Sequence, residues 1–237
     1  MKVLVALAVA GAGFASQAMA AEVTGGSLDF QYSGFTEDSS VARFMAAGSM
    51  EIGFNRAFAT QLDIAGYRFN SVGETGYTGT AHAVFHASES TSLGVFLGRD
   101  EISGSGLTFY GLEAGFEAGQ FNGEAHYTKG DSNGSDSNIF GLSVGYAFAN
   151  AFEAKAHLDR LDAGGGLDST RFSVGLDYEI ANGNTTLYGE IGSVDVSASN
   201  TSLGSNTFIG IGAKFDLGAD RGTTFGRRGV LNFFPGL

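Results

Sequence analysis

One pattern restricts the fold of this chain more than any other: apolar and small or polar residues alternate with period two over long stretches. Phe140-Gly141-Leu142-Ser143-Val144-Gly145-Tyr146-Ala147-Phe148 is the clearest case. In an extended strand, successive side chains point to opposite faces. One face therefore carries Phe, Leu, Val, Tyr and Phe, and the other carries Gly, Ser, Gly and Ala. The pattern recurs in Tyr110–Phe116, Phe172–Tyr178, Phe44–Phe54 and, less cleanly, Phe208–Leu217. Helical periodicity is absent. The only proline is Pro235, so every ladder donor of the candidate strands is available.

Strands are predicted at 26–34, 42–54, 58–68, 77–87, 92–99, 108–117, 121–129, 138–148, 152–160, 170–179, 184–193 and 207–217, about twelve in all. The connections alternate strictly. Short ones (55–57, 88–91, 118–120, 149–151, 180–183) are interleaved with longer polar segments at 35–41, 70–76, 100–107, 130–137, 161–169 and 194–206. In an antiparallel meander this gathers tight turns at one end and loops at the other, the asymmetry of outer-membrane barrels. A repeat such as Gly111-Leu-Glu-Ala-Gly-Phe and Gly141-Leu-Ser-Val-Gly-Tyr is then one hairpin per unit. An even strand number lets the sheet close without a free edge.

Aromatic residues give a second indication. Phe54, Phe58, Phe116, Phe121, Phe148, Phe152, Tyr178 and Phe215 cluster at the turn end. Tyr32, Phe44, Tyr77, Tyr110, Tyr127, Phe140, Phe172 and Phe208 cluster near the other. The separation corresponds to roughly 14–24 Å along a tilted strand, close to the lipid-facing band of such barrels. A soluble β-sandwich would also alternate, but it accounts neither for aromatics paired at strand ends nor for loops long on one side only.

Composition agrees. Gly (38), Phe (21) and Tyr (8) are abundant, and charged residues make up only 16%, against about 25% in soluble domains. The absence of Cys excludes a disulfide framework or thiolate site. A net charge of −12 disfavours nucleic acid as a partner. Residues 1–20 read as a signal peptide: Met1-Lys2, an apolar run from Val3 to Phe14, then Ala18-Met19-Ala20. The barrel is assigned to 21–217 and a periplasmic C-terminal tail to 218–237.

With the large apolar face in lipid, the opposite face lines the lumen. The candidate pore-lining residues are Arg43, Glu51, Asp63, His82, Glu113, Glu124, His126, Lys155, His157, Arg171, Asp177, Glu190 and Lys214. His86, Glu153, Asp159 and Asp216 share the inward face. Carboxylates outnumber cations, which implies a mild cation preference, and small inward residues such as Gly111, Gly115, Gly141 and Gly192 are expected to leave space. The competing reading is a lumen plugged by pairing between these acids and bases. No catalytic residue is named. The four histidines lie on strands that are not all neighbours, His82 and His86 are about 13 Å apart along their strand, and no Gly-x-Ser-x-Gly or His-Glu-x-x-His motif occurs. No metal site or cofactor is expected: Asp131–Asp136 lacks the Glu that completes a calcium loop. Acidic residues taken as loop positions (Glu37, Asp38, Asp100, Glu101, Asp162, Asp168) are read as solvated, with divalent bridging to lipopolysaccharide as the alternative.

The signal peptide, the Gly-rich alternating hairpins across 21–217 and the closing stretch Phe208-Ile-Gly-Ile-Gly-Ala-Lys-Phe-Asp-Leu217 together resemble the small porin-type outer-membrane proteins of Gram-negative bacteria, especially alphaproteobacterial ones. The resemblance implies passive diffusion of ions and small hydrophilic solutes, residence among outer-membrane lipid and lipopolysaccharide, and insertion by the barrel assembly machinery, and it leaves oligomerisation open. A non-conducting structural or adhesive barrel is the main alternative, and a barrel enzyme a lesser one. Such barrels commonly end on an aromatic. Phe215 is expected to take that role here, because the chain runs on past it.

Overall fold

The computed structural model describes residues 21–132, 135–149, 151–180, 183–199, 201–218 and 223–236. The predicted signal peptide lies outside them. Twelve strands follow in order: β1 (Glu22–Phe35), β2 (Ala42–Gly53), β3 (Phe58–Phe69), β4 (Thr75–Ser88), β5 (Thr91–Ile102), β6 (Ser105–Ala118), β7 (Phe121–Ser132), β8 (Ser135–Ala147), β9 (Phe152–Asp162), β10 (Leu167–Glu179), β11 (Thr185–Ala198) and β12 (Thr201–Leu217). Each pairs antiparallel with its sequence neighbours. β12 closes on β1, from Gly26 opposite Leu217 to Phe35 opposite Phe208. The barrel has no edge, so the inter-strand ladder runs around the whole wall, with register shifts at Val23/Gly25, His86/Ser88 and Val196/Ser197.

The wall is inverted relative to a soluble protein. On β5, Leu93, Val95 and Leu97 are exposed, and on β3 and β4 the sheltered positions are Gln61, Asp63 and His82, each 3% exposed or less. Apolar side chains facing outward around the whole closed sheet are stable only against hydrocarbon. Among the described residues no helix is long and apolar enough to cross a membrane; the strands are what fit it.

The turn end is built from tight connections. In the β2–β3 turn, Asn55 accepts hydrogen bonds at its side-chain oxygen from the backbone N–H groups of Ala57 (2.7 Å) and Phe58 (2.9 Å), an Asx-type closure. At the loop end the polar segments do stand beyond the apolar band, but much of their length is strand. β5 and β6 run on to a two-residue turn in which Ser103 and Gly104 both have positive φ (52° and 78°). β11 and β12 similarly continue to Ala198 and Thr201. The ladder needs no apolar residues to persist in water, so hydrophobic alternation marks the membrane-embedded part of each strand and misses its wet extension.

The two aromatic levels are present on the outside, with one correction. Phe208 points inward and is fully buried, and its neighbour Ile209 faces out. Phe215 stays outside, edge-on to Phe30 of β1 at 6.3 Å across the closing seam.

Candidate transport lumen

The segment after β12, expected as a tail outside the barrel, lies within it. Residues 223–236 run through the lumen from the turn end to the loop end and include a single helical turn, α1 (Val230–Phe233). Phe225 packs on Ala59 and Val84 near the turn end. Leu231 joins Met45, Ala47, Ala65, Tyr67 and Phe69 on one side of the loop end. Phe233 joins Ile139, Leu161, Val194 and Phe208 on the other. Fully burying a side chain of this size is worth about 1.5–3 kcal/mol. The wall of β2–β6 thus has inward apolar positions that only this segment covers. The segment's two arginines, expected in a periplasmic tail, find carboxylates inside.

Those contacts divide the predicted pore-lining residues into two sets. Arg43, Glu51, Asp63, His82 and Glu113 are all nearly or fully buried, on or behind the wall that holds the segment. His82 bridges Asp63 (Nε2–Oδ2, 2.9 Å) and Glu113 (Nδ1–Oε1, 2.7 Å). Arg228 donates to Glu113 at 2.9 Å and to Glu124 at 2.5 Å, with its guanidinium carbon 5.6 Å from the centre of the Phe96 ring. Arg227 donates to Asp29 at 2.8 Å, and Tyr188 donates to the other oxygen of Asp29 at 2.7 Å. Arg43 donates to the carbonyls of Leu231 (3.1 Å) and Asn232 (3.4 Å).

The second set (His126, Lys155, His157, Arg171, Asp177, Glu190 and Lys214), together with Glu124 and with Arg43 of the first set, faces a crescent of about 370 Å³ left beside the segment, which Asp29 and Gln31 of β1 also line. Lys155 pairs with Asp177 (2.6 Å) and Glu153 (3.2 Å), Arg171 with Glu190 (3.0 Å), and Lys214 with Asp216 (2.8 Å). Arg171 also donates to the Asn232 carbonyl at 3.2 Å, so it ties the crescent to the segment. Among the described residues no group of acidic or histidine side chains is arranged to hold a metal ion.

Towards the turn end the crescent continues into a space of about 200 Å³ that shares Glu124, Ser143, Lys155 and His157 with it and reaches Glu89 and Ser90. Towards the loop end it shrinks to about 30 Å³ beneath Phe233, room for a water or two. Of the inward glycines, Gly175 and Gly115 line this space as expected, and others are filled. A Cβ on Gly94 would meet the Phe225 ring at 2.7 Å, and one on Gly192 the Phe208 ring at 2.7 Å, so these glycines make room for aromatics.

Several residues of the site were not singled out from the sequence. Asp100, read as a loop residue, is an inward residue of β5: it accepts a hydrogen bond from Thr78 and others from the N–H groups of Val230 (2.6 Å) and Leu231 (3.3 Å). Asp29 had a legible signal, since it alternates with the outward Leu28 and Phe30. Gln61, which meets the Phe225 backbone in both directions (donating at 2.7 Å, accepting at 3.0 Å), shares the inward parity of Asp63, two residues on.

A closed, antiparallel, lipid-facing barrel with a charged lumen is a porin architecture, and a family model for Gram-negative porins matches residues 52–226. The chain belongs to the Gram-negative porin family. Among solved structures this porin is similar to a KdgM porin (TM-score 0.62, 13% identity, covering 81% of this chain and 99% of that one). It is also similar to a NanC porin (TM-score 0.61, 12% identity, 80% and 100%). At such identity these likenesses speak for the fold. No curated protein matches the sequence. Family and fold place this porin in the outer membrane as a channel for small solutes, and they point away from a catalyst.

Proposed function

We propose that this porin admits ions and small hydrophilic solutes by passive diffusion through its lumen, by way of the space that Glu124, Lys155, Arg171 and Glu190 line, with a mild preference for cations. The observation that carries this reading is the charge of the inward faces. Asp29, Glu51, Asp63, Asp100, Glu113, Glu124, Glu153, Asp159, Asp177, Glu190 and Asp216 stand against Arg43, Lys155, Arg171 and Lys214 on the strands, and Arg227 and Arg228 of the segment offset only part of the excess. The surplus belongs to the lumen as a whole and favours cations through its long-range field; the crescent itself is close to balanced, with Asp29, Glu124, Asp159, Asp177 and Glu190 facing Arg43, Lys155, Arg171, Lys214, Arg227 and Arg228. A second KdgM structure is a complex with oligogalacturonate; at 13% identity that likeness speaks for the fold, so that substrate is not carried over. The exposed apolar band and its aromatic girdles suit outer-membrane lipid and lipopolysaccharide as surroundings, with insertion by the barrel assembly machinery.

Purified protein in a planar bilayer under a potassium chloride gradient should give single-channel steps with a reversal potential on the cation side. Steps that reverse on the chloride side would remove the selectivity. A folded barrel that gives no steps under any treatment, loss of residues 219–237 included, would leave a structural or adhesive role.

A further inference from the structure

The wall of β1–β7 holds the inner segment in an unusual way. A closed barrel has no free edge to which a peptide can add as a strand, and here side chains take over that task. Gln61 pairs with the Phe225 backbone, Asp100 caps two N–H groups of α1, and Ser33 donates to the Pro235 carbonyl at 2.7 Å.

Six of the holding residues also have a partner within the barrel wall that does not depend on the segment. Glu113 has His82, Asp29 has Tyr188, and Asp100 has Thr78. Gln61 has Asp63 at 3.0 Å, Glu51 has Thr24 at 3.0 Å, and Arg43 has Gln31 at 2.6 Å. Removing one member of a buried pair is costly because it strands the other. With these second partners, withdrawal of the segment strands none of the six, and its two arginines regain water. The wall thus keeps a hydrogen bond at each of these six positions with the segment away.

From this we infer that the inner face of β1–β7 is a peptide-binding groove whose occupant is the chain's own segment 223–236, docked reversibly, and that its departure opens the loop end of the channel. The inference rests on the channel reading above and concerns its regulation. In the docked state the path ends under Phe233, where apolar residues from β8, β9, β11 and β12 close around the ring. The segment is attached at the turn end, after Gly218, so it can withdraw in that direction without threading through the wall.

The chain contains no cysteine, so introduced thiols can be bridged selectively. In the full chain carrying Ser33→Cys and Pro235→Cys, a short reducible cross-linker should hold conductance near zero, and reduction should restore it. Independently, a chain ending at Gly218 should conduct several-fold more than the full chain. A synthetic peptide of residues 223–237 added from the turn side should block it, and the same peptide carrying Arg228→Glu should not. Full conductance through the cross-linked protein would overturn the inference, as would a truncated barrel that conducts like the full chain and ignores the peptide. A truncated barrel that is folded by its heat-modifiable electrophoretic mobility, yet silent, would instead overturn the channel reading.

Discussion

Arg228 donates from Nε to a carboxylate oxygen of Glu113 at 2.9 Å, and its Nη2 lies 2.7 Å from the same oxygen, deep in the lumen where both side chains are 3% exposed or less. Their separation in sequence spans half the barrel, and no local pattern joins them. This pair, backed by His82 and Asp63, ties the inner segment to the wall at mid-depth.

Arg228→Ala should therefore loosen the segment. Breaking a buried pair from one side costs about 3–5 kcal/mol when the remaining charge is orphaned; the His82 contact of Glu113 should bring the loss to the lower end. Amide hydrogen exchange across 223–236 is expected to quicken by orders of magnitude while that of β1–β12 stays unchanged. Equal protection in both proteins would show that the apolar contacts alone hold the segment.

Gln61→Leu keeps the bulk of the side chain but removes both hydrogen bonds to Phe225. A buried N–H and carbonyl left without partners cost about 1–3 kcal/mol each, so limited proteolysis should cut the segment near Phe225 in the variant and spare it in the parent. The barrel itself should keep its heat-modifiable mobility.

Two glycine substitutions should part company. A Cβ on Gly79 meets open space on the lipid side, so Gly79→Ala should change stability by no more than about 0.5 kcal/mol. A Cβ on Gly94 comes within 2.7 Å of Phe225 and 2.6 Å of Glu113. Both contacts are side chains that can move, so Gly94→Ala should displace the segment and raise conductance without unfolding the barrel. Comparable behaviour of the two variants would contradict the packing described.

Lys155 lines the crescent and pairs there with Asp177 and Glu153. Lys155→Gln leaves those carboxylates uncompensated beside the path. Reversal potentials should move further to the cation side, more at low than at high salt because screening shortens the reach of the exposed charge. No shift would mean that permeant ions do not pass Lys155.

Much of this molecule can be read from alternation. The strands from Phe44–Phe54 to Phe172–Tyr178 and the inward placement of Arg43, Glu113, His157 and Lys214 all follow from period two, because a membrane strand must present one face to hydrocarbon and cannot blur the pattern without cost. The same reasoning slipped where hydrophobicity no longer marks the faces. Phe208 looked like a girdle residue because it is large and apolar, yet it belongs to the inward parity of Gly210, Gly212 and Lys214. Asp100 looked like loop because it is charged and follows the last apolar position of β5, whereas the ladder carries on through Ile102.

The sequence by itself determined the inside-out barrel, since only a closed sheet satisfies every backbone donor and acceptor while turning its apolar side chains to lipid. It did not determine what occupies the lumen. The segment 223–236 has no periodicity to read, and whether Arg228 meets water or Glu113 depends on the barrel's diameter and the level at which β6 and β7 present their carboxylates. Those are properties of the closed wall as a whole. Only the tertiary structure brings together Gln61, Asp100 and Glu113 from three strands at the spacing that a threaded peptide fits.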